Sequence, residues 1–235
     1  MIKTAIILAG GLGTRLRSAV PDLPKCMAPV AGKPFLYYVI RQLQQQGVEH
    51  FIFSLGYLSE TIESYIKTTY PSLNYTSSVE AEPLGTWGAV KLGFRKATEK
   101  NVLILRGDTL FSINIKKVSE IHVSNHADCT LSLKPMADFE RYGVVEIDSD
   151  HRITAFKEKQ FYKSGLINGG VYALNAERFL QEELPGKFSF EKDYLEIFFN
   201  KRKMLGIIQD EYFIDIGIPE DFERAQTEFT DENHD

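Results

Sequence analysis

Through the first half of the chain, short apolar runs alternate with longer stretches in which apolar residues recur every three or four positions. Residues 4–8, 51–55 and 102–105 are near-continuous runs, the pattern of strands buried on both faces. Between them, residues 35–46, 59–68 and 85–97 carry helical spacing. Strand and helix in alternation predict a parallel sheet wound with right-handed crossovers. Such a sheet binds ligands beyond the carboxyl ends of its strands, above all in the loop after the first one. In the second half, residues 129–133, 143–147, 153–157, 167–174, 206–208 and 212–216 read as short strands, interrupted by a helix over 190–201. A last helix opens at Pro219, with Glu220 and Asp221 in the first turn, where carboxylates suit the dipole. The expected fold is α/β: a Rossmann-like, mixed but mainly parallel central sheet flanked by helices, continuous with a strand-rich half, the cleft lying between. No linker or low-complexity tract divides the chain, so residues 1–229 read as a single domain and 230–235 as a polar tail.

Composition narrows the classes without naming one. A chain of 235 residues hides about 70% of its unfolded surface on folding, so its core needs no staple. Cys26 and Cys129 could make at most one bridge, which is not how a disulfide scaffold is built and fits a reducing cytoplasm. The apolar run after Lys3 stops at Gly10-Gly11, too short for a signal or membrane segment. The net charge of −5 argues against a basic nucleic-acid binder. That charge is unevenly spread: residues 1–60 hold six Lys or Arg against three acids, whereas the last fifteen residues hold six acids against Arg224 alone. The amino-terminal part is therefore the place for an anionic ligand.

The first strand runs into Leu8-Ala9-Gly10-Gly11-Leu12-Gly13-Thr14-Arg15-Leu16, followed by Pro24-Lys25. Glycines let the backbone turn and bring N–H groups close to an anion, while Arg15 and Lys25 supply charge for phosphate oxygens. The spacing is not the dinucleotide fingerprint, whose third glycine would fall at Leu16. Nor is it a P-loop, because Gly32-Lys33 lacks the earlier glycine and the following Ser or Thr.

At these residues the sequence resembles the sugar-1-phosphate nucleotidyltransferases, whose opening pattern is L-A-G-G-x-G-T-R-L followed by P-K. Further matches follow in family order: Glu82-Pro83-Leu84-Gly85-Thr86, Gly107-Asp108, Tyr142-Gly143-Val144-Val145, Glu158-Lys159, Asn168-Gly169-Gly170-Val171-Tyr172 and Asp215-Ile216-Gly217-Ile218-Pro219. Within the family, the region from Ser18 to Pro34 and the Glu82 stretch are most similar to enzymes that guanylylate D-glycero-D-manno-heptose 1-phosphate. Two positions depart from the pattern: Trp87 stands where a small residue is usual, and Gln160 where proline is common.

The resemblance implies the nucleotide-diphospho-sugar transferase fold in one catalytic domain, with the strand-rich half binding the sugar. It implies a cytoplasmic Mg²⁺-dependent enzyme supplying precursors of cell-surface polysaccharide. A sugar 1-phosphate attacks the α-phosphorus of a nucleoside triphosphate, with GTP favoured and a heptose or mannose type of sugar, giving an NDP-sugar and pyrophosphate. Such a reaction rests on surrounding the transferred group with positive charge and aligning attacker with leaving group; no covalent protein nucleophile is required. The roles carried over are Arg15, Lys25 and Asp108 for catalysis, and Leu8, Ala9, Gly10, Gly11, Gly13, Thr14, Glu82, Gly85 and Thr86 for the nucleotide. Gly143, Glu158, Lys159 and Asn168 would hold the sugar phosphate, with Gly143 allowing close approach of the sugar. Asp108 and Asp215 would be the Mg²⁺ ligands, hard oxygens suited to that ion. Glu82 is the specificity candidate, since one carboxylate can accept both N1–H and N2–H₂ of guanine; capping of the following helix is its other reading. Alternatives are uridylyl or cytidylyl transfer to another sugar 1-phosphate, or a non-catalytic nucleotide-sugar-binding regulatory subunit. Membrane and nucleic-acid partners are not expected, and a homo-oligomer is left open.

Other features read as structural. Cys26 is expected to be a packed thiol despite Lys25 beside it. His122 and His126 stand four apart on a predicted helix without a third ligand, which points to an exposed helix face rather than zinc. Lys201-Arg202-Lys203 reads as charge at the end of the 190–201 helix. Phe188, Phe190, Tyr194, Phe198 and Phe199 read as core with a candidate dimer face.

Overall fold

The computed structural model describes residues 1–11, 20–80, 85–182 and 189–229, leaving aside the side chains of Thr86 and Trp87. The predicted tail and the loop residues Gly13, Thr14, Arg15 and Glu82 lie outside the described residues. In chain order, β1 (Thr4–Leu8) leads to a 3-10 turn (Lys25–Met27), the two-residue strands β2 (Pro29–Val30) and β3 (Lys33–Pro34), and α1 (Phe35–Gln45). Then come β4 (His50–Leu55), α2 (Ser59–Thr69), β5 (Tyr75–Val79), α3 (Gly85–Phe94), β6 (Asn101–Arg106), β7 (Thr109–Phe111) and α4 (Ile115–Ser124). The second half holds β8 (Cys129–Phe139), β9 (Val144–Ile147), β10 (Ile153–Lys157), β11 (Tyr162–Asn175) and α5 (Ala176–Leu180). A π-helical turn (Phe190–Leu195) runs into α6 (Glu196–Phe198), and β12 (Met204–Ile208), β13 (Phe213–Asp215) and α7 (Pro219–Glu228) follow.

A nine-stranded sheet joins these elements in the path β10-β9-β11-β6-β1-β4-β5, with β8 pairing both β11 and β12. The amino-terminal ladders β6-β1, β1-β4 and β4-β5 are parallel, as the strand-helix alternation predicts. The ladders of β11 with β6, β8 and β9, and of β9 with β10, are antiparallel, so the mixed character enters with the strand-rich half. Two apolar layers cover the sheet: Ile7, Leu103, Leu105 and Phe53 face one, with α1, while Ile6, Val102, Ile104 and Tyr172 face the other, with α3 and the π-helical turn. Alternation along β1 and β6 is what sends neighbouring residues to opposite layers.

Several elements differ from their sequence patterns. β5, Tyr-Thr-Ser-Ser-Val, is too polar to register as an apolar run because it lies at a sheet edge, half-buried. β8 and β11 run well past the predicted ends, because each supplies the other's hydrogen bonds over polar residues such as Lys134 and Ser164. The 190–201 helix ends at Phe198, and its first turns are π-helical. Lys201-Arg202-Lys203 closes that end: the Lys201 and Arg202 N–H groups donate to Phe198 O at 2.9 and 2.8 Å, Arg202 grips Glu182 through Nε and Nη2, both 2.6 Å from Oε1, and the Lys203 N–H donates to Asp128 Oδ2 at 2.8 Å. The expectation of an exposed His122 is also corrected. It is buried, hydrogen-bonded to Thr130 Oγ1 (2.9 Å) and Asn101 Oδ1 (3.2 Å), and burial pulls its pKa down to about 4. His126 is exposed beyond the end of α4, with a positive φ of 51°. Phe190 and Tyr194 are core, packed against Phe179 and each other.

Candidate functional site

The carboxyl ends of β1, β4 and β6 form a shared rim. Leu8 O accepts the Gly107 N–H at 2.9 Å, Ala9 N–H donates to Ser54 O at 2.9 Å, and Tyr57 N–H reaches Gly10 O at 3.4 Å. These bonds pin the start of the glycine loop between the two neighbouring strand ends. A side chain on Gly10 would stand 3.0 Å from the Gly56 backbone nitrogen, so bare backbone lets the loops meet. Gly11 is exposed on the rim. Gly85 opens α3 with φ of +74°, a left-handed geometry that favours glycine. Of the predicted nucleotide-side residues, Leu8, Ala9, Gly10 and Gly11 are thus gathered at one edge.

The acids come together through a two-stranded ribbon. Asp108 follows β6 by two residues, and β7 then pairs antiparallel with β13, setting Asp215 opposite Thr109. The Ile216 N–H donates to Asp108 O at 3.1 Å. Lys25 reaches both carboxylates: its Nζ donates to Asp108 Oδ2 at 2.5 Å and stands 3.7 Å from Asp215 Oδ1. It is aimed there by its turn, whose next residues Cys26 and Met27 are buried. Cys26 is the packed thiol expected: burial, with Asp108 nearby, pushes its pKa up to about 12. Room for the ammonium is made at Gly217, where a side-chain carbon would overlap Lys25 Nζ; the Gly217 N–H meanwhile donates to Asp215 Oδ1 at 2.8 Å.

A second cation completes the group. Arg106 forks onto Asp108, Nε to Oδ1 at 3.0 Å and Nη2 to Oδ2 at 3.1 Å. Burial alone would raise the Asp108 pKa, but Arg106 and then Lys25 outweigh it and hold the carboxyl well below its usual range. The only sequence signal for Arg106 was a charged residue ending an apolar strand just before Gly-Asp. The result is a largely buried set of two anions and two cations, close to neutral.

The sugar-side residues are less concentrated. Asn168 is half-buried on β11, donating from Nδ2 to the Tyr172 hydroxyl (2.9 Å) and accepting at Oδ1 from the Gly170 N–H (3.1 Å). Glu158 and Lys159 are exposed just past β10, and neither hydrogen-bonds to the Lys25–Asp108–Asp215 group among the described residues. The close approach that Gly143 permits is to the Lys157 carbonyl of β10, protein backbone rather than open cleft. Tyr142 packs edge-on against Phe213, ring centroids 6.0 Å apart, two residues before Asp215.

Comparison with known proteins places the whole chain in a family. Residues 4–232 match the nucleotidyl transferase family. The chain is 54% identical to a D-glycero-alpha-D-manno-heptose 1-phosphate guanylyltransferase of Aneurinibacillus thermoaerophilus, covering 95% of this chain and 97% of the relative. It is 44% identical to the enzyme of the same name from Campylobacter jejuni, covering 93% and 96%. Among solved structures, HddC from Yersinia pseudotuberculosis superposes with a TM-score of 0.87 at 36% identity, over 97% of this chain and all of that one. The same protein has been solved complexed with GMP-PN, at a TM-score of 0.86.

Proposed function

The chain belongs to the nucleotidyl transferase family, and on that premise we propose that it transfers the guanylyl group of GTP to D-glycero-α-D-manno-heptose 1-phosphate, releasing pyrophosphate. The observation that carries the proposal is the convergence of Asp108 and Asp215 on one ammonium, that of Lys25, at the rim where the glycine loop starts. Two phosphorylated substrates must meet there, and what the protein supplies is charge and alignment. Lys25 is the group that can leave its carboxylates for phosphate oxygen, neutralising charge as the α-phosphorus is attacked. Arg15 and the Gly13-Thr14 backbone belong to the triphosphate cradle in this reading, and Lys159 with Asn168 and Glu158 to the sugar phosphate and its hydroxyls.

Mg²⁺ fits the donors present. Two hard carboxylate oxygen sets already share one positive charge, and among the described residues no cluster of three or more metal-ligating side chains offers a closed cage. An ion held by Asp108 and Asp215 would take its remaining ligands from water and phosphate and would add Lewis acidity and charge neutralisation. Glu82 is assigned to the guanine edge on its capacity to accept two adjacent donors; Glu82→Gln should erode the preference for GTP over UTP. Both described cysteines are free and buried, which supports a reducing cytoplasmic setting. The deciding experiment is pyrophosphate release with Mg²⁺ across the four nucleoside triphosphates and a panel of hexose and heptose 1-phosphates. GTP with the heptose 1-phosphate should give the highest kcat/KM, and no turnover with any pair alongside tight NDP-sugar binding would replace this reading with a regulatory one.

A further inference from the structure

Resting on the reading above, we propose that Arg106 is an acceptor-side cation of the reaction centre, fixing the Asp108 carboxylate with one edge of its guanidinium and binding the phosphate of the incoming sugar 1-phosphate with its remaining donors. Arg106 pairs in register with Leu8 across β6 and β1, so its side chain emerges beside the start of the glycine loop. Strand alternation puts it on the face of Val102 and Ile104, the layer shared with Tyr172 of β11. Lys25, by contrast, arrives from a turn packed in the other layer with Cys26 and Met27. Asp108 is therefore gripped by two cations from two sides, one with Asp215 and one toward β11.

On the β11 side, the Arg106 stem runs past Gly170, its Cδ 4.0 Å from where a side-chain carbon would be. The Gly170 N–H is held by Asn168, which also holds Tyr172. The stem thus lies beside the backbone corner whose amide side chain is the sugar-hydroxyl candidate. Among the described residues, two of the five N–H donors of the guanidinium are spent, both on Asp108, and the side chain is 45% exposed. A planar fork that occupies one anion along one edge and leaves the other free is what bridges a carboxylate to a phosphate, and a lysine cannot reproduce it. Asp215 and then, more weakly, Glu191 of the π-helical turn act on the same charge from farther away, and among the described residues neither offers the guanidinium a hydrogen bond.

The test is steady-state kinetics on Arg106→Ala and Arg106→Lys with GTP, Mg²⁺ and D-glycero-α-D-manno-heptose 1-phosphate, beside calorimetric titration of that sugar phosphate into the protein without nucleotide. Arg106→Ala should raise the sugar 1-phosphate KM at least tenfold, weaken the titrated affinity by a similar factor, and leave the GTP KM within twofold. Arg106→Lys should recover most of the KM, since the charge remains, but not kcat, since an ammonium cannot hold both Asp108 oxygens. A sugar 1-phosphate KM and affinity within twofold of the unaltered protein in Arg106→Ala would overturn the inference, and so would an equal rise in both KM values, which would mean that Arg106 acts only through Asp108. If the unaltered protein turned over no substrate pair, the parent reading would fall, and the titration would still decide whether Arg106 binds the phosphate.

Discussion

Asp108 and Asp128 are two buried carboxylates, each following or preceding a strand of the same sheet and each tied to an arginine, yet they are built for different ends. Asp128 is locked into backbone: its Oδ2 accepts the Lys203 N–H at 2.8 Å, its carbonyl accepts the Asn175 N–H at 3.0 Å, and Arg178 Nη1 closes on Oδ1 at 2.5 Å. Among the described residues, the carboxylate of Asp108 is held by side chains alone, Lys25, Arg106 and the more distant Thr109 hydroxyl, at the rim. Backbone partners cannot leave without unravelling a strand, whereas side-chain cations can swing to another anion. On the proposed reading, burial and pairing alone therefore do not mark the reacting acid; holding by side chains rather than by backbone does.

That contrast can be broken experimentally. Asp108→Asn should cut kcat by about 10³-fold, because it removes charge that the proposed phosphate chemistry needs; retained activity would place the reaction elsewhere. Asp128→Ala should leave kcat unchanged and cost about 1–2 kcal/mol of stability, because the Lys203 N–H loses its acceptor while the exposed Arg178 guanidinium turns to solvent, as read by urea unfolding and turnover.

The Asp128 end also carries a pH dependence. His122, held near 4 in the folded protein against 6.5 when exposed, binds fewer protons folded than unfolded between those values. Stability should accordingly be full above pH 6.5 and fall as pH drops toward 4, by roughly 3 kcal/mol in total from this group. Asp108 keeps its charge through that window, because its carboxyl lies below the usual carboxylate range. His122→Gln should flatten the pH dependence of unfolding, and an unchanged slope would count against a neutral buried imidazole. Gly217→Ala is the mildest probe. The new methyl must displace both the Lys25 ammonium and the Asp215 Oδ1 that would stand 2.8 Å from it, and since both are side-chain ends, kcat should fall roughly tenfold with a stability change of about 1 kcal/mol.

Much of the site was legible in order along the chain because its motifs are local. A glycine loop after a buried strand announces itself by composition, and the Gly-Asp after β6 by its place at a strand end. Arg106 was not legible: one arginine at a strand terminus looks like any solvated charge until Asp108 is seen turned back onto it. His122 misled for a related reason, since helical spacing shows which residues share a face but not that Thr130 and Asn101 wait opposite. The ends of β8 and β11 were likewise hidden, because two strands that satisfy each other's backbone need no apolar run to persist.

By itself the sequence determined the parallel amino-terminal ladders, the position of the glycine loop after β1 and the cationic character of the amino-terminal part, all properties of neighbouring residues and of their periodicity. The tertiary structure alone decided that Asp108 and Asp215 share one lysine, that Gly217 clears the space for it, and which buried acid is held by partners free to move. Those outcomes depend on the pairing of β7 with β13 and the docking of the Lys25 turn. Each is a contact between segments far apart in the chain, whose register is set by packing and hydrogen bonding rather than by local pattern.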